Sequence, residues 1–398
     1  MEHDLLHEAL ALQDEITAHR RYLHAHAETG FELNETRDYV QKKLTDMGYD
    51  VTECGKAGLT AIAGTRKDGK VILLRADMDA LPIEEEVDLE YASKNGNMHA
   101  CGHDLHTAML LGAAKLLKEH ENELNGRVKL MFQPAEELLS GARDMIEAGI
   151  LDNPKVDAGM MIHVATAVPI PTGSILIAGP GISAPTADYF TIEVTGKSCH
   201  GSMPQEGIDA LTAAAHILIA LQEIEARELG IQDNTVLTVG SFHGGNSGNV
   251  IADSALMSGT IRTFDDETRT MIKTRIVEIS KGIALAFRAR ATVTYGSSTP
   301  ALTNDRSLCD LAERCLTELL GNRVVSVAKL SDGKPTAGGS EDFAYVSQKI
   351  PTVMLSLAAG EPKNGYTYPL HHPKAMFDES ALPYGAAALV RVAMEYLK

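Results

Sequence analysis

The sequence predicts an α/β protein: a domain with a mostly parallel sheet flanked by helices, interrupted by a smaller ferredoxin-like α+β domain. Three observations carry this expectation. Short apolar runs alternate with helix-periodic runs through the first part of the chain, which is the pattern of buried strands covered by helices. After Gly179-Pro180-Gly181 the order becomes β-α-β-β-α-β, the split unit of ferredoxin-like folds. The α/β alternation then resumes. The expected division is 1–183 and 297–398 for the larger domain and 184–296 for the insertion.

The elements follow in order. Helical periodicity runs from Leu5 to His26 and from Asn34 to Met47. Strand-like runs are Thr60 to Gly64, Val71 to Arg75, Val128 to Phe132 and Ala158 to Ile162, with helices at Thr107 to His120 and Ala142 to Ala148. Asp104 stands where it can cap the first of these helices, and Gly149 where it can stop the second. In the insertion, Tyr189 to Thr195 alternates with Phe190, Ile192 and Val194 on one face. An apolar helix from Ile208 to Ile224, strands at Val236 to Phe242 and Ser254 to Thr263, a long helix from Asp266 to Phe287 and a strand from Ala291 to Tyr295 complete it. Ser307 to Leu320 reads as a helix, Pro351 to Leu357 as a buried strand and Ala381 to Tyr396 as a closing helix.

Composition narrows the function classes. The chain has 398 residues, 44% hydrophobic and 23% charged, ordinary for a globular protein. A net charge of −18 disfavours a nucleic-acid partner, since nothing would neutralise phosphates broadly. No apolar run approaches the ~20 residues of a membrane span. The start, Met1-Glu2-His3-Asp4, lacks the basic and apolar regions of a secretory signal, so a cytoplasmic protein is expected. Five scattered cysteines argue against a disulfide framework and fit a reducing compartment.

Chemistry concentrates at the predicted strand ends, where open α/β sheets bind ligands. Met98-His99-Ala100-Cys101-Gly102-His103-Asp104 puts a thiol and two imidazoles together, and soft sulfur with imidazole suits a borderline metal such as zinc. Cys101 and His103 are two apart, so in an extended loop both reach one ion. The strand from Val71 leads into Asp77-Met78-Asp79, that from Val128 into Glu136-Glu137, that from Ala158 into His163, and that from Pro351 through a loop to His371-His372. Adjacent Glu136 and Glu137 are expected to point different ways, one ligating and the other free to act as a base. Each residue alone has a bland reading: His163 a structural histidine, Cys101 a small buried hydrophobe, the glutamates a solvated helix start, the aspartates turn residues. Their convergence at four strand ends favours a site for metal-assisted amide hydrolysis. Cys199-His200 is a second thiol–imidazole pair, but sequence neighbours rarely form a nucleophile and its base. The Gly-rich stretch from Gly244 lacks the lysine and helix of a phosphate loop and reads as a turn.

The motifs Arg75–Pro82, Met98–Thr107, Phe132–Glu137, Gly338–Phe343 and Leu370–Pro373 together resemble those of the zinc-dependent metallopeptidases related to aminoacylase and carboxypeptidase G. The closer resemblance is to the amidohydrolase branch with hippurate hydrolase, indole-acetyl-amino-acid hydrolases and N-acetyl-diaminopimelate deacetylase, and it spans essentially the whole chain. It implies two divalent ions held by Cys101, His103, Glu137, His163 and His371, with Cys101 as the bridge; zinc is expected, with manganese, cobalt or nickel as alternatives. It implies Glu136 as general base and Asp79 as the carboxylate that orients a ligating histidine. It implies that the insertion is a lid and dimerisation domain, with His200 at the substrate or its oxyanion and Asn249 and Arg262 at the substrate carboxylate. The expected substrate is an N-acyl amino acid or peptide, and the expected assembly a homodimer or homotetramer. The rival expectations are a dipeptidase or aminopeptidase of the same fold, a non-catalytic metal-binding protein, and a closed structural zinc site. Where relatives often carry an aromatic residue after His163, this chain has Val164-Ala165-Thr166. His372 stands where Asn or Ser is commoner.

Overall fold

A computed structural model of the protein describes residues 4–327 and 339–398. These fall into two compact units, the smaller formed by Ala184–Leu302 with 339–341 and the larger by the rest. Gly338, first residue of one motif, lies outside the described residues, as do Met1, Glu2 and His3.

The larger unit is built on an eight-stranded sheet. From edge to edge its strands are Thr52–Cys54, Gly58–Ala63, Arg127–Gln133, Val71–Asp77, Ala158–Ala165, Thr352–Ala358, Ile175–Ile177 and Val324–Ser326. The four central strands run parallel. The pairs Thr52–Cys54 with Gly58–Ala63, Gly58–Ala63 with Arg127–Gln133, and Thr352–Ala358 with Ile175–Ile177 are antiparallel. Every residue of Val71–Asp77 is buried, which is why its first four residues are apolar without alternation. From Val71–Asp77 the chain passes to Arg127–Gln133 on one side and then to Ala158–Ala165 on the other. The order therefore reverses at Val71–Asp77, and such a switch opens a crevice beyond the strands' carboxyl ends.

The helix His103–Glu119 is almost wholly buried, packed against Gln13–Ala25, Leu382–Tyr396 and the Val71–Asp77 strand. Its burial on all sides explains the apolar run from Ala108 to Ala114. The predicted Leu5–His26 helix is two helices, Leu5–Ala11 and Gln13–Ala25, divided at Leu12. Helix Gly141–Glu147 stops as expected. Gly149 adopts φ +88, its N–H bonds to Ile146 O and that of Ile150 to Met145 O, both at 3.0 Å, the paired bonds of a Schellman end.

The smaller unit has an antiparallel sheet in the order Thr235–Gly244, Ser254–Thr263, Ala187–Thr195, Arg290–Thr299. Helices Ala210–Glu223 and Asp266–Ala286 pack against it, and Phe190, Ile192 and Val194 belong to the core between them. Asp209 and Asp265 cap the two helices through bonds from Thr212 N and Thr268 N. This is the ferredoxin-like connectivity that the sequence predicts.

Candidate metal centre

The carboxyl ends of the parallel strands gather the donor side chains in the larger unit. Gly102 makes the first turn. It sits at φ +87, and a Cβ there would stand 2.4 Å from Val164 Cγ2. The helix begins immediately, at His103. Cys101 and His103 thus flank a left-handed turn rather than lying in an extended loop, and the turn directs both inward. Gly102→Ala is expected to cost about 1–3 kcal/mol in urea unfolding, from crowding added to a strained backbone; an unchanged midpoint would contradict this.

Asp104 does not cap the helix as expected. The cap residue is Gly102, and Asp104, in the first turn, is fully buried with its Oδ2 2.9 Å from Arg20 Nε and 2.8 Å from His24 Nδ1. Burial alone would raise its pKa, but Arg20 and His24 outweigh burial and hold it well below the carboxylate range. The folded pKa is depressed, so this contribution to stability is present above the unfolded value near 3.9 and is lost as pH falls below it. Asp104→Asn is expected to be about 3–5 kcal/mol less stable at pH 7, and the gap from the wild type should shrink below about pH 4. Urea titrations at pH 7, 4 and 3 check this, and a constant gap would count against it.

The thiol of Cys101 stands at the middle of the cluster. Its Sγ is 3.5 Å from His163 Nε2 and 3.3 Å from His371 Nε2. His371 Nε2 is 3.5 Å and His103 Nε2 3.9 Å from Glu137 Oε1. Two donor groups, Cys101–His103–His163 and Cys101–Glu137–His371, share this thiol, and in each the donor atoms lie within 4.8 Å of one another. The structure thus brings Cys101, His103, Glu137, His163 and His371 together. His99, the other imidazole of the Met98–Asp104 stretch, is not among them; its ring lies 6.3 Å from that of His24.

Main-chain contacts orient the imidazoles. His103 Nδ1 donates to Asp79 O at 2.7 Å and His163 Nδ1 to Val164 O at 2.7 Å, which turns each Nε2 lone pair toward the thiol. The strand carrying His163 does not end there, as the sequence suggested, but pairs with Thr352–Ala358 through Ala165. His371 adopts φ +65, with its N–H bonded to Ala100 O at 2.9 Å.

Glu136 and Glu137 lie on a turn between the Arg127–Gln133 strand and helix Gly141–Glu147. Contrary to the expectation that they point apart, both place a carboxylate oxygen within 4.8 Å of a His103 nitrogen and of each other. Ala135 and Leu139 at φ +53 and +52 make the turn tight enough to do this. The Asp79 carboxylate fastens it, accepting from Glu136 N at 3.0 Å and Glu137 N at 3.2 Å. Asp79 therefore acts on the histidine mainly through its carbonyl, while its carboxylate, 3.4 Å from His103 Nδ1, mainly holds the glutamates.

The donors fit a cation. His103 Nε2 and Glu137 Oε1 are buried without a hydrogen-bond partner among the described residues, an arrangement that costs free energy unless a positive centre sits between them. Burial pushes Glu137 up to about 7, with His103 opposing, and burial likewise pushes the Cys101 thiol up. For His103, burial is overcome by Asp77 and Cys101, which hold its pKa well above the ordinary value. A site that must protonate its own acids and bases when bare is one built around a cation.

The residues expected from the insertion lie in the smaller unit. His200 pairs with Val250, and Gly201 N donates to Asn249 O at 2.8 Å, so His200 and Asn249 occupy adjacent turns. His200 Nδ1 lies 2.8 Å from Ser202 Oγ and Cys199 Sγ bonds to Met203 O, so Cys199 and His200 do not pair with each other. Arg262 lies over the Tyr189 ring at 5.5 Å. The Gly-rich stretch from Gly244 turns, as expected.

Parallel strands ending in a cluster of thiol, imidazole and carboxylate define a metal-dependent hydrolase. The chain belongs to peptidase family M20/M25/M40, whose model matches residues 73–395. N-acetyl-L-cysteine deacetylase of Bacillus subtilis (strain 168) is 38% identical over 375 residues, 93% of this chain and 85% of that protein. IAA-amino acid hydrolase ILR1-like 2 of Arabidopsis thaliana is 38% identical over 391 residues, 95% of this chain and 84% of that protein. Among solved structures, the Bacillus subtilis YXEP protein, a dinuclear metal binding peptidase from the M20 family, superposes with a TM-score of 0.79 at 33% identity, covering 97% of this chain and 99% of that one. Among the described residues, no helix is long and apolar enough to cross a membrane.

Proposed function

We propose that the protein hydrolyses the amide bond of N-acyl amino acids, with acetyl, benzoyl or a related acyl group. The observation that carries this reading is the convergence of four donors on the Cys101 thiol, two of them ending in buried unbonded atoms, with Glu136 beside them. Two of the relatives are named for N-acetyl-L-cysteine and IAA-amino acid substrates, which supports the substrate class.

In this reading Cys101, His103, Glu137, His163 and His371 hold two divalent ions. Zinc suits the mixed thiolate, imidazole and carboxylate set best, with manganese, cobalt or nickel as alternatives. Membership of both donor groups supports Cys101 as the bridge. Held there, two such ions would supply Lewis acidity at the amide carbonyl and would bring the pKa of bound water near neutral. A Glu136 carboxylate oxygen takes the proton of the attacking water and returns it to the leaving nitrogen. Asp342 N–H steadies that carboxylate at 3.3 Å, and Asp79 fixes the turn that carries it.

His200 stabilises the developing oxyanion, and Asn249 and Arg262 hold the substrate carboxylate, when the smaller unit acts as a lid. Ser202 on Nδ1 leaves His200 Nε2 to face substrate. The smaller unit is also the dimerisation element. Its edge strand Thr235–Gly244 is paired on one side only among the described residues, and Leu211 and Ile219 of the helix Ala210–Glu223 are exposed. A homodimer, or a homotetramer built from it, is expected by light scattering, and Ile219→Asp should lower the mass toward one chain. A wild-type mass of one chain would contradict the assembly. The five unpaired cysteines fit a cytoplasmic setting.

The test is hydrolysis of N-acetyl amino acids, hippurate, indole-acetyl conjugates and free dipeptides, after chelation and after return of zinc, manganese or cobalt. Metal-restored release of amino acid from the acylated substrates is expected. Activity confined to free dipeptides would replace this reading with a peptidase.

A further inference from the structure

A buried polar network lies directly beneath the cluster, and of its members only Asp77 was among the strand-end residues that the sequence gathers at the site. Its hub is Asp77, which is fully buried. Asp77 Oδ2 accepts from Arg75 Nη1 at 2.6 Å, Oδ1 accepts from His106 Nδ1 at 2.6 Å, and its carbonyl accepts from Thr107 Oγ1 at 2.7 Å. His106 Nε2 in turn accepts from Val164 N at 2.8 Å. Carboxylate on one nitrogen and N–H on the other fix a single neutral tautomer of His106.

The network touches the cluster at two places. Asp77 Oδ2 lies 3.7 Å from His103 Nε2, the atom that has no hydrogen-bond partner. The His106 ring is stacked at 5.4 Å on that of His103 and stands edge-on at 4.6 Å to that of His163, and its bond to Val164 N holds the backbone next to His163. Arg75 is anchored by Gln133 Oε1 at 2.8 Å and Asp342 Oδ1 at 3.0 Å. Arg75 thus pairs with both Asp77 and Asp342, and all three side chains are buried.

We propose that Asp77 and His106 are positioning residues for the metal centre. Asp77 supplies a countercharge 3.7 Å from His103 Nε2, and His106, locked by Asp77, keeps the His103 and His163 rings aimed at the ions. This rests on the proposed metal site and adds to it two residues whose polar atoms are taken up by Arg75, by each other and by Val164 N. Partners of this kind are typically worth a factor of 10 to 100 in metal affinity.

The experiment is a zinc competition titration against a chromophoric chelator, run on the full-length metal-free wild type, Asp77→Asn, Asp77→Glu and His106→Phe, with circular dichroism and thermal melting of each metal-free protein. The cobalt-loaded forms are compared by visible absorption. Folded Asp77→Asn and His106→Phe are expected to bind zinc about 10–100-fold more weakly, with the wild-type number of ions at saturation and a shifted cobalt spectrum. Asp77→Glu, which keeps the charge, should recover part of the affinity. If Asp77→Asn fails to fold, His106→Phe decides the question. Affinities within threefold of the wild type and an unchanged cobalt spectrum in a folded variant would overturn the inference. A wild type that takes up no metal would instead remove the proposed function beneath it.

Discussion

Glu136→Gln should keep its metal and lose turnover. Glutamine fills the same space but cannot take a proton from water, and positioned general bases contribute about 10²–10⁴-fold. Glu136 is 6% exposed, so little bulk water reaches it to substitute for the missing base. The Asp79 bonds to Glu136 N and Glu137 N are main-chain contacts and survive the change. The expected outcome is a kcat lower by at least about a hundredfold, with KM and metal content close to the wild type. Metal analysis and steady-state kinetics on the same preparation check both halves. Near-normal kcat would remove Glu136 from its role.

Cys101→Ala should act on the metal itself. Its Sγ is the atom common to both donor groups, so its removal takes a ligand from each ion of the proposed pair. His103 and Glu137 then lose the cation that balances their buried unbonded atoms. Metal content after gel filtration should fall from two ions per chain to one or none, with activity lost in parallel. Cys101→Ser, which returns a harder and less easily ionised donor, should rescue binding only in part. Two tightly held ions in the alanine variant would contradict the bridging role.

Much of this arrangement was legible in the sequence, for identifiable reasons. The parallel strands announced themselves as unbroken apolar runs because they are buried on both faces. The split unit was visible because Phe190, Ile192 and Val194 alternate against a one-sided core. The three-residue strands Thr52–Cys54, Ile175–Ile177 and Val324–Ser326 were not anticipated, since so few residues show no period. Side-chain direction was misread where the backbone turns left-handed. Gly102 at φ +87 and Ala135 at φ +53 reverse the chain beside Cys101 and Glu136, and extended geometry does not describe either place. Asp104 looked like a helix cap because the partners that bury it, Arg20 and His24, are about eighty residues away in sequence. The Asp77–His106 pair was hidden for the same reason: Asp77 was noticed at its strand end, but its tie to His106 spans 29 positions.

The central claim is that one thiol joins two ions in a site where Glu136 acts as base and binds neither ion. The most direct measurement is anomalous diffraction at the zinc edge from crystals of the zinc-loaded protein. The account predicts two peaks, each about 2.3 Å from Cys101 Sγ, one contacted by His163 and the other by His371, with Glu136 bound to neither. A single peak, or two peaks that do not share Cys101, would contradict it.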